Sequence, residues 1–340
     1  MPDRHEFFSD NTAGICPEAL ATFAAANGGF VASYGADPVT AQAADAIRAL
    51  LDADAEVRFV STGTVANSIA CATLCPPDGA VLAFEQAHII MHEGGAPGFF
   101  GHGLEIEPLA GIQSRIDPAA LDHALTQTRG ADERRPAALS LTNATEYGTV
   151  YDEAMLGALC RPAKAAGLGI HLDGARLANA VAAGFDPKAL ARAGVDIVIL
   201  GGSKAGAPFS EAIVLLNKDL AKGFDDRLKM SGQLTSKMRL LAAPWLGLLD
   251  GRGVDIPWIA HARHANAMAR RLADGLPFTA NYPVESNAIF VTMSDAQQAA
   301  LAEKGWQLAR FEDGSARFVC SWATTPETVD AIIADARAIA

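Results

Sequence analysis

Residues 169–180 read GIHLDGARLANA, an apolar run that closes on Asp173 and passes into an alanine-rich stretch of helical length, with Arg176 at its start. An acid at the mouth of a buried strand, followed at once by a helix, is the local pattern of an α/β protein. A second such strand opens residues 197–217, IVILGGSKAGAPFSEAIVLLN, and runs into Gly201, Gly202, Ser203 and Lys204. Working outward, short apolar runs at 57–61, 80–84, 104–108, 137–142, 168–173, 196–201 and 212–216 alternate with helical stretches that include 65–74, 118–127, 153–166 and 175–183. The alternation predicts an α/β fold built on a mostly parallel, seven-stranded sheet covered on both faces, with ligands collecting beyond the carboxyl ends of its strands.

After about residue 220 the pattern changes. Residues 225–253 are basic and then helical, a long helix is expected over 258–272, and NAIFVTM, a helix near 295–304, ARFVCSW and a closing helix from Pro326 form a small α+β unit. The expected division is a large domain over 1–250 and a small one over 251–340, the N-terminal segment being free to pack on the small unit. A length of 340 residues, half of them hydrophobic, supports a core of that size. The balance of 27 Lys+Arg against 39 Asp+Glu gives a net charge of −12, which argues against a nucleic-acid or membrane-surface partner held by charge. The N-terminus has no apolar core and no run of eighteen apolar residues occurs, so the expectation is a cytoplasmic protein. The five cysteines, Cys16, Cys71, Cys75, Cys160 and Cys320, are scattered and read as buried or free thiols, with no metal expected.

Three features carry chemistry. Asp173 at a strand end needs a cation, either Arg176 three places on or the protonated nitrogen of a ligand. Lys204, after a buried strand and among small residues, is a candidate for a depressed pKa and for holding an aldehyde as an imine. In FVSTGTVANSIACATL, residues 59–74, a strand feeds Ser61, Thr62, Gly63 and Thr64 into a helix, offering free amides and a positive dipole end to a phosphate. A phosphate cradle, a carboxylate for a ring nitrogen and an amine for an aldehyde are together what pyridoxal 5'-phosphate requires. A Walker loop is excluded by spacing, and GGAPGFFGHG at 94–103 lacks the glycine order of a dinucleotide fold.

Across nearly its whole length the sequence resembles the low-specificity L-threonine aldolases and phenylserine aldolases, a family of fold-type I pyridoxal-phosphate enzymes. The resemblance rests on SDNTAGICPEAL, YGADPVT, STGTVANSIA, AHIIMHEGGAP, LSLTNATEYGTVY, HLDGARLANA, GGSKAGAPFSEAIVLLN, GQLTSKMRLLAA and HARHANAMARRLA, in family order. It implies that Lys204 forms the Schiff base, Asp173 meets the pyridine nitrogen, Gly63 and Thr64 hold the phosphate, and His88 stacks over the ring. It also implies that Arg176 lies near cofactor and substrate, that Ser9 and Arg317 bind the substrate carboxylate, and that Lys229 and Arg239 reach the phosphate of a neighbouring subunit in a dimer or tetramer. The substrate is then a small amino acid of the β-hydroxy-α-amino class, cleaved to glycine and an aldehyde, with β-elimination or transamination as the alternatives on the same fold.

Two positions depart from the family pattern. Ala205 stands where many relatives have Asn after the lysine, and Glu146 stands where other branches carry a second histidine. The catalytic base is left open between His88, Glu146 and a water held by either.

Overall fold

The structure, a computed structural model, describes residues 3–251, 253–311 and 313–340. Its main sheet has seven strands: β1 (Glu56–Val60), β2 (Gly79–Phe84), β3 (Glu105–Leu109), β6 (Arg135–Thr142), β7 (Gly169–Gly174), β8 (Ile197–Gly201) and β9 (Glu211–Leu215). Between them lies a two-stranded hairpin of β4 (Gly111–Ile112) and β5 (Arg115–Ile116). The strand order is β1-β9-β8-β7-β6-β2-β3. Strand β9 runs antiparallel to both neighbours, and the remaining strands share one direction. The mostly parallel sheet read from the apolar runs is the one observed, with strand ends displaced by one or two residues.

Burial explains why these segments are strands. Strands β8 and β9 are buried along their whole length, as runs such as IVILG and EAIVL require when helices cover both faces of a sheet. The helix Gly63–Leu74 lies on one face, with Val65, Ala66, Ile69 and Ala70 packed against Ile197, Ile199 and Ile213. The helix expected over 175–183 is shorter, Leu177–Ala182, because the Ala175 amide donates to Asp173 Oδ1 at 2.9 Å instead of opening a helical turn.

A second sheet, in the order β10-β12-β11, joins β10 (Ala288–Val291), β12 (Ala316–Val319) and β11 (Ala309–Arg310). Its core contains Phe290's neighbours Ile289 and Val291 together with Phe318, Trp306 and Leu272. Phe7 belongs to the same core, and the Phe7 carbonyl accepts from the Val319 amide at 2.9 Å. The long helix Pro257–Gly275 links both cores: Trp258, Ile259 and Ala262 pack in the large one, Ala269 and Leu272 in the small one. Among the described residues no helix is long and apolar enough to cross a membrane.

The helix Met238–Leu248 packs against Pro17–Ala25 with almost no separation, for a Cβ on Gly247 would lie 2.2 Å from the Glu18 carbonyl oxygen. That contact is backbone and cannot swing aside. Gly247→Ala is therefore expected to destabilise the protein by roughly 1–3 kcal/mol through overpacking, read as a lowered midpoint in urea unfolding.

Candidate active site

Because all but one of the main strands run the same way, their carboxyl ends converge on one edge, and the reversed β9 brings its first residue to that edge as well. Thr64 follows β1, His88 follows β2, Glu146 follows β6, Asp173 is the penultimate residue of β7, Lys204 follows β8 and Glu211 opens β9. Strand register places Glu211 opposite Val60 and Gly201.

Beyond β1, Thr62 caps the helix Gly63–Leu74 by accepting from the Val65 amide at 3.3 Å. First-turn amides have no intrahelical acceptor, so those of Gly63 and Thr64 stay available to an anion. A Cβ at Gly63 would meet nothing within 4 Å, so there is open ground in front of the turn. The preceding Ser61 amide and hydroxyl both donate to Gln233 Oε1 at 2.9 Å, which draws the segment after Phe224–Met230 alongside.

Asp173 is buried and accepts from Asn67 Nδ2 at 2.9 Å as well as from the Ala175 amide. Burial alone would raise its carboxyl, but Lys204, His171 and His88 with the Ala175 N–H outweigh that and hold it below the usual range. The other Asn67 amide proton goes to Glu93 Oε1 at 2.8 Å, and the same oxygen meets His88 Nδ1 at 2.9 Å. A single string of polar contacts thus runs from Asp173 through Asn67 and Glu93 to His88. Glu93 is fully covered and its carboxyl is raised by burial, while the His88 side chain stays 39% exposed.

Lys204 sits in the short turn Ser203–Ala205, closed by Gly206 at φ 110°. Burial, then repulsion from Arg176, lower its pKa against the pull of Asp10, Asp173 and Glu211. Among the described residues no hydrogen bond or ion pair ties down the amine. Glu211 Oε2 accepts from the Gly202 amide at 2.7 Å, and burial pushes its carboxyl up to about 7.

Arg176 does not pair with Asp173. Its Nε and Nη2 donate to the two oxygens of Asp10 at 2.7 and 2.8 Å, and Asn287 Nδ2 adds a third bond to Asp10 at 3.0 Å. Arg317, on β12, donates to the Phe8 carbonyl at 3.1 Å and has a buried Nε with no partner. Burial and then the Arg176 charge lower its pKa to about 10. Ser9 caps the turn Asp10–Thr12, accepting from the Asn11 amide at 3.2 Å, which leaves its hydroxyl proton free to donate. Glu146 Oε1 accepts from Thr142 Oγ1 at 2.8 Å and from the His88 amide at 3.1 Å, and burial raises its carboxyl. Lys229 and Arg239 stand apart from these groups: Lys229 Nζ lies 4.7 Å over the Tyr34 ring, and Arg239 donates weakly to the Gly29 carbonyl at 3.4 and 3.5 Å.

Asp10, Asn67, Glu93, Glu211 and Asn287 escape sequence reasoning: Asp10, Asn67 and Asn287 act through partners far along the chain, and Glu211 reaches the site through the reversal of β9. Only Glu93, five residues after a singled-out histidine, carries a local signal. The set fits pyridoxal phosphate: open amides for an anion, a charged buried carboxylate for a ring nitrogen, and an untethered amine of depressed pKa.

Residues 6–296 match the family model described as beta-eliminating lyase. The chain is 42% identical over 341 residues to a low specificity L-threonine aldolase of Pseudomonas aeruginosa, covering 98% of this chain and 97% of that one. It matches a solved threonine aldolase of Leishmania major with a TM-score of 0.91 at 30% identity, over 98% of this chain and 99% of the other. A serine palmitoyltransferase solved with pyridoxal phosphate, at TM-score 0.70 and 18% identity over 98% and 86% of the two chains, shares the fold alone. The chain is thus one of the fold-type I pyridoxal-phosphate-dependent lyases. Within that class it belongs to the low-specificity L-threonine aldolase family.

The Asp10–Arg176 pair supplies a test of the site's architecture. Burial raises the Asp10 carboxyl, but Arg176 and Lys204, with bonds from Arg176 and Asn287, bring it below the ordinary 3.8. Since the folded-state value is the lower one, the stabilisation is complete above 3.8 and is lost as pH falls through the folded value. Asp10→Asn is expected to cost about 3–5 kcal/mol at neutral pH by leaving a buried guanidinium without its counter-charge. The gap from wild type should narrow in acid, as measured by denaturant unfolding at a series of pH values.

Proposed function

We propose that this protein cleaves L-β-hydroxy-α-amino acids, L-threonine, L-allo-threonine and phenylserine among them, to glycine and an aldehyde. The observation that carries the reading is the convergence of Lys204, Asp173 and the Gly63–Thr64 amides at one sheet edge, with Arg176 and Arg317 beside them. Gly63, Thr64, His88, Asp173, Arg176 and Lys204 would hold pyridoxal 5'-phosphate, Lys204 through its amine and Asp173 at the ring nitrogen. Bound there, the cofactor supplies an electron sink for the bond that breaks at the substrate α-carbon.

Arg176 and Arg317, with the Ser9 hydroxyl, bind the substrate carboxylate. Asp10 uses two of the Arg176 N–H donors and so fixes the plane of the remaining ones. That clamp sets the angle of the Cα–Cβ bond, on which its cleavage depends. For the proton on the β-hydroxyl, the arrangement favours His88: Glu93 engages Nδ1 and leaves Nε2 to face outward chemistry. Glu146, with Oε1 already accepting two hydrogen bonds, positions the His88 backbone.

The working unit is a homo-oligomer, in which Lys229 and Arg239 come to a neighbouring subunit's phosphate. Supporting this are the exposed Phe30, Val31 and Tyr34 in one loop, with Lys229 over the Tyr34 ring and Arg239, its buried Nε partnerless, reaching the Gly29 carbonyl. Free thiols at all five cysteines suit a reducing, cytoplasmic setting.

Purified protein supplied with pyridoxal phosphate and L-threonine is expected to release glycine and acetaldehyde in equal amounts, and Lys204→Ala to release neither. Pyruvate with ammonia, or a keto acid, would replace this reading with β-elimination or transamination. His88→Ala should lower kcat by roughly 10²–10⁴-fold. Glu93→Gln should lose less and shift the pH profile of kcat; an unchanged profile would remove Glu93 from the positioning of His88.

A further inference from the structure

One cluster of metal-binding side chains lies outside the chemistry described above. Cys16 precedes the helix Pro17–Ala25, Glu18 stands in its first turn, and His261 projects from the helix Pro257–Gly275. The Cys16 Sγ, a Glu18 carboxylate oxygen and a His261 ring nitrogen all lie within 4.8 Å of one another. His261 Nε2 meets Glu18 Oε2 at 3.1 Å although the two residues are 243 positions apart. The Glu18 carboxylate thus stands between an imidazole and a thiol, both of them side chains that ligate metals.

We propose that Cys16, Glu18 and His261 form a binding site for a soft divalent cation of the zinc kind, with water in the fourth position. The donor set is sulfur, oxygen and nitrogen, one of each, and zinc takes such ligands at about 2.0–2.3 Å in a tetrahedron. An ion placed among the three atoms would need only small side-chain movements, because the ligands already converge. Binding displaces the thiol proton, whose place the metal takes. Cys16 forms the buried floor, whereas Glu18 and His261 are partly exposed and leave a way in for the ion.

Position gives the site its consequence. The Cys16 amide donates to the Gly206 carbonyl at 2.9 Å, and a Cβ on Gly206 would lie 2.8 Å from Cys16 Cβ and 2.9 Å from its Sγ. Gly206 closes the turn that carries Lys204. His261 and Lys204 also line the same narrow cavity, with about 10 Å³ of free space, together with Trp322 and Asn287. A bound ion therefore clamps the first helix and the long linking helix directly behind the lysine turn.

The test uses the full-length protein loaded with pyridoxal phosphate, treated with chelator and then titrated with Cd²⁺ and, separately, Co²⁺. The expected result is a sulfur-to-metal charge-transfer band that saturates at about one ion per chain and is displaced by Zn²⁺. Cys16→Ser should abolish the band, and His261→Ala should weaken Cd²⁺ binding at least about tenfold. Circular dichroism of the metal-free variants shows that each is folded. Absence of the band in wild-type protein, its persistence in Cys16→Ser, or an unchanged affinity in His261→Ala would each overturn the site. No aldolase activity is read, so the result stands apart from the functional proposal.

Discussion

A buried ion pair between Asp10 and Arg176 is the constraint on which the site depends. Asp10 follows directly on a segment whose Phe7 is locked into the core of the small sheet, while Arg176 follows the last strand residues of β7 in the large one. Two parallel hydrogen bonds between a guanidinium and a carboxylate fix both distance and plane, which a single contact would not. Asn287, one residue before β10, binds the same carboxylate and closes the link from the other side. The two cores are therefore joined at the edge where the parallel strands end, and the two arginines of the candidate site come from both: Arg176 from beyond β7, Arg317 from β12.

The helix Pro257–Gly275 gives this joint its rigidity. A helix that buries tryptophan and isoleucine in one core at its start and leucine in another near its end cannot bend without uncovering apolar surface. Its first turns also carry His261, so the ligands gathered behind the Lys204 turn move with the same rigid body. Positions that look unrelated along the chain, such as 16, 176, 204, 261 and 317, are held in register by this one element and one ion pair.

Much of the fold and the placement of the candidate site's central residues were legible in the sequence, and the physical reason is locality. Asp173, Lys204 and Gly63 each stand at the end of an apolar run and before a turn, so their placement at the sheet edge follows from short stretches alone. Glu211 was hidden because nothing local marks β9 as the reversed strand, and only that reversal brings its first residue to the site. Asp10 was hidden because its partner lies 166 positions away, and of the two partners open to Asp173 the structure removes Arg176, which Asp10 engages instead. Nothing local marks Asn67 within its helix, yet its two amide protons join Asp173 to Glu93. Cys16 read as a buried or free thiol for the same reason, since the histidine it approaches is supplied by a distant helix.

The electrostatics of the site sort its acids into two groups. Asp10 and Asp173 face Lys204, with Arg176 or histidines beside them, and are held charged despite burial. Glu93, Glu146 and Glu211 are also sheltered from water, but burial outweighs the charges and hydrogen bonds they meet, and their carboxyls shift upward instead. Were all of them charged, the pocket would repel both an anionic phosphate and a substrate carboxylate. With burial shifting the second group toward its neutral form, the anionic charge concentrates at Asp173 and at Asp10, where Arg176 neutralises it. Lys204 meets the same burial, which together with repulsion from Arg176 lowers its pKa, the direction that favours an uncharged amine. The same burial that makes charged acids costly in this pocket therefore favours the neutral form of the lysine.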